Sequence, residues 1–246
     1  NGRKWSYEYS NSELKRVIRP DGTFWEYDFS DFDKFPSRTD SVTEVGVANM
    51  KPPNGATALF KVKETLHGRT KVPLAVHAPT GKRLFYPNTH YMSLTEKVIK
   101  PSLNGMEYSW SYSYSENEGA FEDNNSSSIL PTKTTTILKP DGSRQVETLF
   151  RTFDWKEGKT QKIENFGSNS TLLSKTLIYW KGGEKIGSFL GNTLSNTEKD
   201  DHRVLLEKSV ITNYLDYGND IYTTIYSGFD KYGYPLLTTE SNNYKS

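Results

Sequence analysis

The run from Met106 to Tyr114 constrains the fold more than any other part of the chain. It reads Met-Glu-Tyr-Ser-Trp-Ser-Tyr-Ser-Tyr, with an apolar or aromatic residue at every even position and Glu or Ser at every odd one. Successive strand side chains point to opposite faces, so this pattern gives a strand with one aromatic face and one wet face. Trp5-Ser-Tyr7-Glu-Tyr9 and Trp25-Glu-Tyr27-Asp-Phe29 repeat the scheme. Leu172 to Trp180 and Ile221 to Tyr226 are rich in Thr, Ile, Leu and aromatics, which suits strands. Helical periodicity is nearly absent.

Turn signals separate these runs. Pro20-Asp21-Gly22 and Pro140-Asp141-Gly142 are near copies, and Pro53-Asn54-Gly55 and Pro79-Thr80-Gly81 are close variants. Pro101-Ser-Leu-Asn104-Gly105 is a lengthened form. Proline presets φ at the turn entry, Asp or Asn tolerates the left-handed region, and Gly takes positive φ without steric cost. Between alternating runs such a turn predicts a β-hairpin. The flanks repeat as well: Val17-Ile-Arg-Pro-Asp-Gly, Val98-Ile-Lys-Pro and Ile137-Leu-Lys-Pro-Asp-Gly each lead into a return strand. Weaker echoes begin at Met50 and Val76. The expected fold is all-β, an antiparallel meander of repeated hairpins forming a curved sheet or a partial shell or barrel. Each hairpin would bury a face only against its neighbour. We expect one β-repeat domain over 1–246, an irregular insertion around 35–53, an exposed acidic and Asn/Ser-rich loop around 116–128, and a polar stretch from Gly182 to Asp201.

The pattern from Val17 to Phe29, with Tyr27-Asp28 closing it, resembles the YD repeat of the RHS family. Tyr226-Ser-Gly-Phe229-Asp230-Lys-Tyr-Gly233-Tyr-Pro235 resembles the complementary half of that repeat. The resemblance covers about half the chain. It implies a β-ribbon that spirals into a shell around a toxin or other effector, with Pro20, Asp21, Gly22, Tyr27, Asp28, Pro140, Asp141 and Gly142 as its structural turn and repeat residues. No Asp-Pro dipeptide occurs in the chain, so the family's self-cleaving core does not carry over.

Composition limits the function classes. Lys and Arg number 31 against 30 Asp and Glu, a net charge of +1, which gives no global signal for nucleic acid or an anionic membrane. Mean hydropathy is −0.74 and only 34% of residues are hydrophobic, yet aromatics reach 13%, too many for a disordered chain. Cysteine is absent, which removes disulfides, thiolate metal sites and cysteine nucleophiles. No apolar run approaches the ~18 residues of a spanning helix. The chain opens at Asn1 rather than Met, which we read as a processed or excised product whose targeting segment would lie outside it.

The aromatic rows are expected to pack between sheets, aided by cross-strand ring pairs worth roughly 0.2–1 kcal/mol each. If some rings stay open, Tyr108, Trp110, Tyr112 and Tyr114 are the candidates to stack on a sugar or a captured polypeptide. The histidines, His67, His77, His90 and His202, show no His-Glu-x-x-His spacing. Gly187-Ser-Phe-Leu-Gly191 has the wrong spacing for a nucleophile elbow, and no phosphate-loop motif occurs. Asp28, Asp31 and Asp33, and Glu116, Glu118, Glu122 and Asp123, are clusters that suit solvated loop carboxylates better than a Ca²⁺ site. Asn124, Asn125 and Asn169 begin glycosylation sequons. No cofactor or metal is expected, and no catalytic residue is assigned. The functional expectation is a non-enzymatic structural or interaction protein, extracellular or at a cell surface and associated with a bacterial toxin or secreted protein. Its partners would be other segments of a larger repeat protein or an enclosed polypeptide, with no nucleic acid and no transmembrane segment. The alternative is a carbohydrate-binding or carbohydrate-active β domain that uses the aromatic rows as sugar platforms.

Overall fold

The computed structural model describes residues 3–29, 45–74, 76, 80–82, 85–102, 105–115, 118–122, 130–188 and 200–245. They form 14 strands and, among the described residues, no helix. The strands are β1 (Ser6–Ser10), β2 (Glu13–Ile18), β3 (Phe24–Asp28), β4 (Val45–Lys51), β5 (Thr57–Gly68), β6 (Asn88–Lys100) and β7 (Tyr108–Tyr114), followed by β8 (Thr132–Leu138), β9 (Arg144–Phe150), β10 (Thr160–Phe166), β11 (Leu172–Ser188), β12 (Asp200–Leu215), β13 (Gly218–Phe229) and β14 (Pro235–Lys245). Strand order in the sheet is the sequence order from β1 to β14. Each neighbouring pair with a defined register is antiparallel. The chain is therefore an all-β hairpin meander, as its alternation and turns predict. Its backbone gathers into two compact units. The first is Asn1–Thr65, Tyr91–Ser113 and Ile137–Pro140, and the second is Leu66–His90, Tyr114–Thr136 and Asp141–Ser246.

Several expectations meet a different outcome locally. Within the expected insertion around 35–53, Val45–Lys51 is a regular strand of the meander, and residues 35–44 lie outside the described residues. Within 116–128 only 118–122 are described, and these are not an exposed loop: Ala120 is buried and Phe121 bridges to Val72. Of the stretch Gly182 to Asp201, the first seven residues extend β11 and the last two open β12; residues 189–199 are not described. The echo at Val76 falls in the connection between β5 and β6, where Val76 and Gly81 belong to no strand.

The core is sparse. Among the described residues the buried hydrophobics are Ala48 and Ala58 in the first unit and Val72, Ala120, Phe153 and Leu205 in the second. Aromatic packing also departs from the expected ladder of ring pairs, because registers set most rings opposite other residue types. Tyr7 faces Val17, and Tyr222 faces Ile211. Three rings face a cation directly. Lys97 Nζ lies 4.0 Å from the Trp110 ring centre, the Arg144 guanidinium 4.2 Å from that of Phe166, and Lys208 Nζ 5.6 Å from that of Tyr179. A long cationic side chain covers a ring with its stem and attracts the ring's negative face, so it shields apolar surface while its charged head stays in water. No helix of the described residues is long and apolar enough to cross a membrane.

Candidate functional site

The turn residues behave as one device. In the β2–β3 hairpin, Gly22 N–H donates to the Arg19 carbonyl (3.0 Å), Arg19 N–H to the Thr23 carbonyl (2.8 Å), and Gly22 has φ +81°. Pro20 and Asp21 occupy the two central positions. Asp21 Oδ1 accepts from both the amide (3.0 Å) and the hydroxyl (2.7 Å) of Thr23. Those two bonds hold the Asp21 carboxyl below its ordinary value. Pro140-Asp141-Gly142 repeats this, with Gly142 at φ +79° and Asp141 Oδ1 accepting from the Ser143 amide and hydroxyl. Gly55 shares the geometry, whereas Gly105 lies outside the left-handed region although its N–H donates to the Ser102 carbonyl. The longer Ser-Leu-Asn insert changes where the chain must reverse.

The Tyr27-Asp28 and Phe229-Asp230 pairs both stand at a strand's C-terminal end. Tyr27 stacks on Phe29, with centroids 6.2 Å apart. Asp230 Oδ1 accepts from the amides of Tyr232 (2.8 Å) and Tyr234 (2.9 Å), closing the β13–β14 turn.

Strand β7 carries the four rings proposed as a platform. Its serines are exposed and Trp110, Tyr112 and Tyr114 are half-buried, so the predicted two faces exist. Tyr108 is exposed. Lys97 occupies one face of Trp110, so a sugar stacking there would have to displace it.

The densest polar constellation lies in the second unit. Arg69 grips Glu157 through Nε (2.6 Å) and Nη2 (2.8 Å), and its guanidinium lies 4.4 Å from the Phe153 ring centre. His67 Nε2 stands 3.7 Å from the same carboxylate, while His67 Nδ1 pairs with Lys133 Nζ. Burial pulls Lys133 below the ordinary lysine range, against the attraction of Glu157. Beneath them Arg151, only 2% exposed, donates Nε to the Leu130 carbonyl (2.7 Å) and Nη1 to those of Gly68 (3.2 Å) and Glu118 (3.1 Å). Parallel bridges Thr70–Thr152 and Val72–Phe121 complete the junction. Arg69 and His67 converge on the Glu157 carboxylate and Arg151 is held by three carbonyls, so the arrangement ties distant chain segments together. Of these residues the sequence singles out His67, and Glu118 only as a loop carboxylate, whereas the structure uses its carbonyl. The others have no motif spacing, and a basic residue inside the Thr-rich β8 is the single local hint.

The remaining candidates are dispersed. His202 Nδ1 lies 3.0 Å from the Gly183 carbonyl, His90 is exposed, and His77 lies outside the described residues. Asp31, Asp33, Glu116, Asp123, Asn124 and Asn125 also lie outside them. Among the described residues no group of three or more His, Asp or Glu is placed to hold a metal ion. Asn169 sits at the exposed β10–β11 turn and accepts from the Thr171 amide at 3.0 Å. In comparisons with known proteins, no family model, no curated protein and no solved structure matches the chain.

Proposed function

We propose that the chain is a non-enzymatic, YD-repeat-like scaffold whose hairpins form part of a β-shell or surface-exposed framework of a bacterial toxin or secreted protein. The observation that carries this reading is the uninterrupted strand order, β1 to β14 in sequence order, with the Gly22 and Gly142 turns made by the same Pro-Asp-Gly geometry. A chain that only doubles back on its neighbour builds surface rather than a deep enclosed site. The sparse core supports the same reading. On β13 and β14, Tyr222, Ile225, Leu236, Leu237 and Tyr244 remain exposed, available to other segments of a larger repeat protein or to an enclosed polypeptide. The tightest polar cluster, around Glu157, is consumed by internal pairing, which supports a structural role over a catalytic one.

The test is small-angle scattering with light scattering on the purified full chain, together with a glycosidase, esterase and peptidase panel. The expected result is a profile broader than that of a filled globule of this mass, with no turnover. A compact profile accompanied by hydrolysis of any panel substrate would overturn the proposal.

A further inference from the structure

An open cavity of about 590 Å³ beside the β2–β3 turn is lined by Arg3, Trp5, Arg19, Pro20 and Asp21. All five belong to the first unit. Trp5 is 47% exposed, and its ring stacks on that of Trp25, with centroids 5.9 Å apart and planes 18° apart. The Arg19 guanidinium lies 4.3 Å from the Trp25 ring centre. Stacking braces the plane of a guanidinium and leaves its in-plane N–H donors uncommitted. Among the described residues, no side-chain hydrogen bond or ion pair engages the guanidinium of Arg3 or Arg19. The backbone of Arg19 is fixed on both sides by the hairpin, through its bonds to Gly22 and Thr23. The cavity thus joins two guanidinium groups to a partly exposed indole, with the Arg19 backbone fixed by the hairpin.

We infer that this cavity binds a sugar carrying a single carboxylate, a hexuronic acid unit, with the carboxylate on Arg19 and Arg3 and the C–H face of the pyranose on Trp5. A guanidinium fork matches a carboxylate bidentately, and such charge-assisted bonds are about twice as strong as neutral ones. The indole offers a flat apolar surface that a pyranose face covers. Asp21 selects among anions. Its carboxylate, held by Thr23 through Oδ1, lines the same cavity and opposes a doubly charged phosphate more strongly than a singly charged carboxylate. One negative charge, several hydroxyls and one apolar face are the ligand features this lining answers. The inference does not rest on the shell reading, since a scaffold hairpin and a free-standing domain would present the same cavity. It also moves the sugar platform away from β7, where Lys97 covers Trp110.

The experiment titrates the isotope-labelled full chain with trigalacturonic acid and follows the indole N–H signal of Trp5 by NMR. Fully methyl-esterified trigalacturonate, in which each carboxylate is replaced by a neutral ester, is the control. A saturable shift with the acid is expected, with affinity for the ester at least about tenfold lower, as expected when a charge-assisted hydrogen bond of about 1.4 kcal/mol or more is lost. Arg19→Gln, read at the Trp5 indole, and Trp5→Ala, read at the Trp25 indole N–H on which Trp5 stacks, are each expected to weaken binding at least about tenfold in a chain that stays folded. If Arg19→Gln disturbs the turn, Arg3→Gln gives the same reading from outside it. Equal response to acid and ester, no saturable shift of the Trp5 signal, or tighter binding of inorganic phosphate than of the uronate would each overturn the inference.

Discussion

Arg69 and Glu157 form a bidentate ion pair at 2.6 and 2.8 Å, although 88 positions separate them in sequence. The side chains are 21% and 24% exposed. Burial opposes ionisation of Glu157, but the approach of His67 and the hydrogen bonds and charge of Arg69 outweigh it and hold the carboxyl below its ordinary value. The folded form therefore binds the proton less well than the unfolded one. The resulting stabilisation is present above the unfolded glutamate pKa of about 4.3 and is lost as pH falls through the lower folded value. Glu157→Gln is expected to cost about 2 kcal/mol at neutral pH, reduced from a fully buried pair by the remaining exposure. Urea unfolding across pH 3 to 7 would check it: the variant's stability should fall less steeply on the acid side than that of the parent.

Arg151 anchors three carbonyls from Gly68, Glu118 and Leu130. Its removal leaves the buried Gly68 carbonyl unpaired, at about 1–3 kcal/mol, and strips the part-buried Glu118 and Leu130 carbonyls of their donor at a smaller cost each. Arg151→Met keeps much of the volume and loses every donor, so we expect destabilisation of at least about 3 kcal/mol. Arg151→Lys should recover only part of this, because an ammonium has no planar fork. Chemical denaturation of the two variants side by side measures the difference.

Two turns test backbone conformation in opposite directions. Gly22 has φ +81° and nothing within 4 Å of where a Cβ would sit, so Gly22→Ala is penalised by conformation alone, at about 1 kcal/mol. Ser170 occupies the equivalent position of the β10–β11 turn, with its N–H donating to the Gly167 carbonyl and φ +65°. Ser170→Gly should stabilise by up to about 1 kcal/mol for the same reason. Thermal midpoints moving the same way in both variants would refute a shared turn geometry.

The sequence exposes what is local and hides what is not. The alternation at Tyr108–Tyr114 and the Pro-Asp-Gly signals at Gly22 and Gly142 each depend on a few consecutive residues, and the hairpins follow directly. The Asn11-Ser12 turn between β1 and β2 goes unmarked because it has no Gly or Pro; both residues nonetheless take positive φ, 50° and 67°. Register is also not local. That Trp110 faces Lys97 rather than another ring depends on how two strands slide, and a one-residue change would reverse the faces. The junction around Arg151 joins segments far apart in the chain, each too ordinary alone to announce a core. The uronate cavity mixes the two: its turn is legible, whereas Trp5 approaching Trp25 across β2 is not.

Lys97 over Trp110 supplies a spectroscopic prediction. The cation–ring contact is worth about 0.5–1 kcal/mol at a half-exposed site. Lys97→Ala uncovers one face of the indole, so Trp emission should shift to longer wavelength with a stability loss no greater than that. An unchanged spectrum with the same loss would mean the lysine stem packs elsewhere.

Gly119 gives the most severe expectation. A Cβ there would lie 2.1 Å from the Pro87 carbonyl oxygen and 2.5 and 2.6 Å from the Arg69 oxygen and nitrogen. These are backbone atoms, so no side chain can swing aside. The same backbone groups are committed to one another: Arg69 N–H donates to the Pro87 carbonyl, Ala120 N–H to the Arg69 carbonyl, and Gly119 N–H to Asn88 Oδ1. Relieving the clash means breaking that set and drawing Ala120 out of the core beside Val72. Gly119→Ala should therefore cost well over about 3 kcal/mol, beyond the usual range for one substitution. Hydrogen exchange localises the effect. The amides of Arg69, Val72 and Ala120 should lose protection while those of Val17 and Trp25 in the first unit keep theirs. Protection retained at Ala120 in a folded Gly119→Ala variant would mean that residues 118–122 do not pass through this junction.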